Sequence, residues 1–130
     1  MPDPIVDAYL VVLALILGSF IGLAADRIPR GESIVRPRSH CRSCGRTLNW
    51  VDLLPVAGYL VRRGRCATCG SPIGVSALVV EAASGAGMLI AVMLLGPVRG
   101  GIVGLVAIVL SGLVLVSVST ARRAAGRGVR

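Results

Sequence analysis

Three long apolar runs constrain this chain more than any other feature. Residues 6–25 read VDAYLVVLALILGSFIGLAA, residues 74–96 read GVSALVVEAASGAGMLIAVMLLG, and residues 100–120 read GGIVGLVAIVLSGLVLVSVST. Each has about the 20 residues a helix needs to cross a ~30 Å hydrocarbon layer. Glu81 is the only charge in the second run, and the third has none. A hydrophobic content of 55% with only 3% aromatic residues, and a mean hydropathy of +0.83, sets the chain apart from a soluble globular domain. The expected fold class is an all-α integral membrane protein of about three transmembrane helices.

A cleaved signal peptide would begin with a basic segment, whereas this N-terminus carries Asp3 and Asp7 and no Arg. Residues 6–25 are therefore expected to be a retained first span. Gly96-Pro97-Val98-Arg99 breaks the helical pattern between the second and third runs, which are expected to form a hairpin.

Orientation follows from the basic residues, all 14 of which are Arg. Nine of them lie between Arg27 and Arg65, four follow Thr120, one is Arg99, and none precedes the first run. Positive charge accumulates on the cytoplasmic side. The expected organisation is a first helix over 6–25, a cytoplasmic loop over 26–73, helices over 74–96 and 100–120, and a basic cytoplasmic tail over 121–130, with the N-terminus outside.

All four cysteines fall in that loop, as Cys41-x-x-Cys44 and Cys66-x-x-Cys69. In a reducing compartment such spacing reads as thiolate ligands rather than disulfides. Two residues between sulfurs let each pair face one ion, and two pairs complete the closed tetrahedral shell of a structural zinc site. A redox dithiol or an iron–sulfur ligand set are the alternatives. Gly45 and Gly70, directly after each pair, suit tight turns that aim backbone amides at the sulfurs. With four sulfurs the shell leaves no open position, so the zinc-ribbon-like loop is expected to be structural. His40 reads as a side chain near the site rather than a ligand.

Trp50, Leu53, Leu54, Val56, Tyr59 and Leu60 are the main apolar residues between the cysteine pairs. They could form a small core around the metal or rest on the bilayer surface, and the two arrangements are compatible. Asp26 and Arg27 read as solvated anchors at the end of the first span, and Asp52 reads as a turn cap. Glu81 is ionisable and inside an apolar run, which marks a functional group, or else a carboxyl held neutral or paired with an arginine reaching in from the loop. Two faces of small residues, Ala82, Ser84, Gly85 and Gly87 and then Gly100, Gly104, Ser111 and Gly112, are suited to close helix packing or to docking a partner. An arginine-rich ribbon can bind nucleic acid, but membrane tethering already accounts for these arginines, so no nucleic-acid partner is expected.

The order GSF (18–20), DRIPRGESIVRPRSHCRSCG (26–45), LNWVDLLPVAGYLVRRGRCATCGSPI (48–73) and Val80-Glu81 resembles the N-terminal region of prepilin peptidases, the type IV leader peptidases. The resemblance implies a bacterial inner-membrane protein of type IV pilus and protein-secretion systems. It implies cleavage of prepilin leaders on the cytoplasmic side, followed by N-methylation from S-adenosylmethionine. The family assigns cleavage to two aspartates near the cytoplasmic ends of later spans, one of them in Gly-x-Gly-Asp. This chain has no Asp after Asp52, and reads LVSVSTARR (115–123) where the first of them is expected. A neutral hydroxyl cannot take part in a carboxylate pair that activates water.

No catalytic residue is therefore assigned within the chain. The resulting expectation is a degenerate or split family member that binds or assembles with pilin-processing components. The alternative is one part of a working peptidase and methyltransferase whose aspartates come from another chain. Expected partners are the bilayer, prepilin-like substrates or such a complementary subunit. Departures at Gly22, Asp26 and Ser76-Ala77-Leu78, where the family often has Asn, Tyr and Arg-Tyr-Pro, bear on substrate binding.

Overall fold

The computed structural model describes residues 3–127, and its helices form where the apolar runs lie. The first helix, α1, spans Pro4–Arg27, and its start is written locally. Asp3 accepts the Ile5 N–H at 3.0 Å, Pro4 supplies a preset φ, and Asp7 places a carboxyl in the first turn. A one-turn 3-10 segment, Ile28–Arg30, ends the helix, and Gly31 at φ 71° closes it with an N–H to the Ile28 carbonyl. The short helix α2 spans Ala57–Val61 inside the loop. No β-strand occurs among the described residues, only two isolated bridges, His40 to Thr47 and Arg65 to Pro72.

The last helix, α3, spans Val75–Arg127 and is broken at Gly96, where φ 78° and ψ 169° are non-helical. The two arms fold back on each other. A Cβ on Gly100 would lie 2.4 Å from the Ala91 carbonyl oxygen, and one on Gly104 would lie 2.7 Å from Met88 Sδ. In a straight helix, residues 88 and 104 would be about 24 Å apart. The helical arm after the break runs to Arg127, so the start of the basic tail is helical, and residues 128–130 lie outside the described residues.

The interior is small and sits where α1 lies against both arms. Ala14, Met88, Val92 and Ile108 form it, flanked by Leu10, Val11, Leu17 and Ile21. Close approach depends on glycine. Gly18 faces Ser84, Gly22 faces Ala77, Gly85 faces Leu15, and Gly112 faces Ile21. Gly100, Gly104, Ile108 and Gly112 thus form a buried stripe at four-residue spacing. Ala82 and Gly87, placed by the sequence on the small-residue face of the second run, and Ser111, placed on that of the third, are exposed.

The outer faces are apolar. Met93 and Leu94 are each 77% exposed, and Phe20, Leu113 and Val114 are also open. Two stretches, Pro4–Arg30 and Val75–Gly126, are long and apolar enough to cross a membrane, with mean hydropathies of 2.4 and 2.7, and only 17% of each apolar window is buried. A core helix of a soluble protein would be mostly buried, so the surroundings that suit these faces are lipid.

Candidate metal centre

The loop between α1 and α3 is built on one unit used twice, offset by 25 residues. In the first copy the Cys41 N–H donates to the Arg46 carbonyl at 2.8 Å and the Gly45 N–H to the Cys41 carbonyl at 2.9 Å. In the second, the Cys66 N–H donates to the Ser71 carbonyl at 2.9 Å and the Gly70 N–H to the Cys66 carbonyl at 3.0 Å. The flanks repeat as well, with Leu48 N–H to Ser39 and Ile73 N–H to Gly64. Gly45 and Gly70 adopt φ 72° and 68°, where a side chain would be strained.

These two turns face each other and bring the four sulfurs within 4.8 Å of one another. Cys41 Sγ lies 3.8 Å from Cys69 Sγ, and Cys44 Sγ lies 3.9 Å from Cys66 Sγ. All four cysteines are free. Four sulfurs about 2.3 Å from a central zinc would stand about 3.8 Å apart, so the spacing fits one tetrahedral ion. Four such cysteines can hold a metal. His40 stands outside the cluster, with its Nδ1 3.0 Å from the Arg38 carbonyl oxygen.

The sulfurs are not equivalent. The Cys44 backbone N–H, the Ser71 hydroxyl and the Ser43 N–H hold the Cys41 thiol down to about 5. Cys44 is pushed up to about 11, because the pull of the Arg46 N–H is outweighed by desolvation and by the neighbouring sulfurs. Ser71 Oγ lies 3.6 Å from Cys41 Sγ and 3.3 Å from Cys69 Sγ. The residue reading missed Ser71, although the 25-residue repeat pairs its carbonyl with that of Arg46 and so places it beside the cluster.

Asp52 caps the turn at 49–53 and is also a hub. Its side chain is 4% exposed and accepts from Arg46 Nη2 at 2.6 Å, Arg62 Nε at 2.5 Å and the Asn49 N–H at 3.1 Å. Burial alone would raise its pKa, but Arg62, the Asn49 amide and Arg46 more than offset this and hold it below the usual 3.8.

Arg27 is not a solvated anchor. It is buried, and its Nη1 donates to the Ser33 and Pro37 carbonyls at 2.8 and 2.9 Å, binding the start of the loop to the end of α1. Asp26 is half-exposed and pairs with Arg30 and, at 2.5 Å, with Arg42. Trp50 is 74% exposed, Leu53, Leu54 and Leu60 are exposed too, and Val56 and Tyr59 are only half-buried, so among the described residues no buried apolar core surrounds the sulfurs. The loop is held by polar contacts.

Glu81 lies in the second turn of α3, is 9% exposed, and accepts the Val56 N–H at 2.7 Å. No loop arginine pairs with it. It borders a cavity of about 680 Å³ between the end of α1, the loop and the start of α3, which Phe20, Asp26, Arg42, Pro55 and Tyr59 also line.

The sequence pattern of the Bacterial Peptidase A24 N-terminal domain matches residues 12–95, which include most of α1, the four-cysteine loop and the first arm of α3. The chain belongs to the prepilin leader peptidase family. It is 43% identical over 82 residues to the prepilin leader peptidase/N-methyltransferase of Myxococcus xanthus, covering 63% of this chain and 24% of that protein. The Bacillus subtilis protein of the same description is 45% identical over 64 residues, covering 49% of this chain and 26% of the relative. The one from Burkholderia pseudomallei strain K96243 is 32% identical over 122 residues, covering 75% and 40%. The chain thus spans between a quarter and two fifths of the length of these relatives. No solved structure matches it.

Proposed function

We propose that this chain is a membrane component of prepilin processing whose part is binding and assembly rather than peptide cleavage. The observation that carries this reading is the pairing of a closed four-sulfur cluster with the family's N-terminal pattern over residues 12–95. A cluster with all four donors used stiffens a loop and leaves no position for substrate. Membership in the prepilin leader peptidase family supports a pilin-type substrate. Residues 115–123, where the first of the family's aspartates is expected, read LVSVSTARR and offer no carboxylate, and Asp52 is committed to two arginines.

In this reading the sulfurs hold one structural zinc. Such an ion would lock the two turns together and supply no chemistry to a substrate. The chain crosses the inner membrane three times, as α1 and the two arms of α3. Its N-terminus is outside and the arginine-rich loop is in the cytoplasm. A second reading, in which the chain is one part of a working peptidase and methyltransferase, is favoured by the names of the relatives, which couple both activities. In that case another polypeptide brings the aspartates, and S-adenosylmethionine serves the assembled enzyme.

Co-expression with a prepilin tests both readings. The chain alone is expected to leave the leader attached and to co-purify with the prepilin. Leader loss without any partner would overturn the first reading. Leader loss only when a Gly-x-Gly-Asp protein is added would establish the second.

A further inference from the structure

We propose that Glu81 is a positioning residue: its carboxyl is the latch that seats the middle of the metal loop on α3 by capturing the backbone N–H of Val56. The two halves of the loop are attached differently. Arg27 and Arg42 bind its first half to α1, through the Ser33 and Pro37 carbonyls and through Asp26. Between residues 49 and 72, the Val56–Glu81 bond is the one hydrogen bond, among the described residues, that reaches either long helix. The remaining polar contacts of that segment, such as those of Asp52, stay inside the loop.

The backbone captured is an unusual one. Val56 has φ 57° and ψ −51°, and the Ala57 N–H donates to the Pro55 carbonyl at 2.5 Å, which makes a tight γ-turn centred on a β-branched residue. A positive φ is unfavourable for valine and persists only where the surroundings over-determine it. From the loop side, the Gly58 N–H donates to the Leu54 carbonyl at 2.8 Å, and a Cβ on Gly58 would lie 2.7 Å from the Val51 carbonyl oxygen. From the helix side there is Glu81.

The carboxyl gains from the same contact. A polar group buried beside apolar helices is costly unless it is hydrogen-bonded, and the Val56 amide supplies that partner. Pro55, at the turn, and Glu81 both line the cavity between α1, the loop and α3, so the latch also fixes one wall of that cavity. The role needs an oxygen acceptor at this point and not a negative charge.

Backbone amide exchange of the full chain in detergent tests this, with metal content measured on each sample. Glu81→Ala is expected to speed exchange of the Val56 amide at least ~10-fold, because its acceptor is gone. Glu81→Gln, whose amide oxygen can still accept, is expected to stay within ~3-fold of the parent. Metal content should be unchanged in both. Unaltered Val56 exchange in Glu81→Ala would overturn the proposal, as would Glu81→Gln behaving like Glu81→Ala. Should Glu81→Ala fail to fold, Glu81→Asp takes its place: it keeps the charge but is one methylene short, and exchange as slow as the parent would count against the latch.

Discussion

Gly18 of α1 lies so close to Ser84 of α3 that a Cβ placed on it would stand 2.7 Å from the serine Oγ and 2.9 Å from its Cβ, with the Glu81 Cα at 3.1 Å. The contact has no room for a side chain. Ser84 is itself fixed, because its hydroxyl donates to the Val80 carbonyl at 2.8 Å. Gly18→Val is therefore expected to push α1 away from α3 and destabilise the protein by about 1–3 kcal/mol. Gly87→Ala, on an exposed helical position with nothing within 4 Å, should be neutral or slightly stabilising. Thermal unfolding in detergent, followed by circular dichroism, separates the two.

Metal content checks the sulfur cluster. The parent protein is expected to carry one zinc per chain, and Cys44→Ser to lose affinity by more than the ~10–100-fold that even outer partners of a metal site contribute. His40→Ala should leave the content unchanged, since the ring stands outside the cluster. Purified protein without metal and with two disulfides would refute the zinc reading.

Asp52 gives the loop a pH dependence with a definite sign. Its folded pKa lies below the ordinary 3.8, so its contribution is fully present above that value and is lost as pH falls through the folded pKa. The Asn49 amide, which donates to this carboxyl, should lose exchange protection below pH 3.8 in the parent. In Asp52→Asn the dependence should vanish. Asp52→Ala leaves Arg46 and Arg62 without their partner and is expected to cost the loop about 3 kcal/mol at neutral pH. Both effects are read by amide exchange of residues 46–62.

Topology is checked with a reporter active only outside the cytoplasm. Fused after Ala67, between the second pair of cysteines, it is expected to be silent. Strong activity there would reverse the orientation.

Much of the architecture is written in local sequence. Asp3, Pro4 and Gly31 mark the ends of α1 and the turn after it, and Gly96 marks the break in α3, because caps, fixed φ and positive φ are properties of single residues. The two cysteine turns could be read as well. Their residues repeat with a constant offset, and each repeat carries its own glycine for its own positive φ.

The amino-acid sequence by itself determined the apolar helices, the paired cysteines, the glycine-marked turns and, through the order of its motifs, the family. What only the tertiary structure decided is which polar groups meet. Glu81 and Val56 are 25 residues apart, Asp26 and Arg42 are 16 apart, and Arg27 reaches Pro37 across a loop. No helical or strand period links such positions. Their pairing is set by how the loop folds back over the end of α1 and the start of α3, two segments that meet where Gly22 lets them approach Ala77. The anchors of the loop were therefore visible as charges but not as contacts. Asp52, Arg27 and Glu81 gained their roles from the neighbours that the fold brought to them.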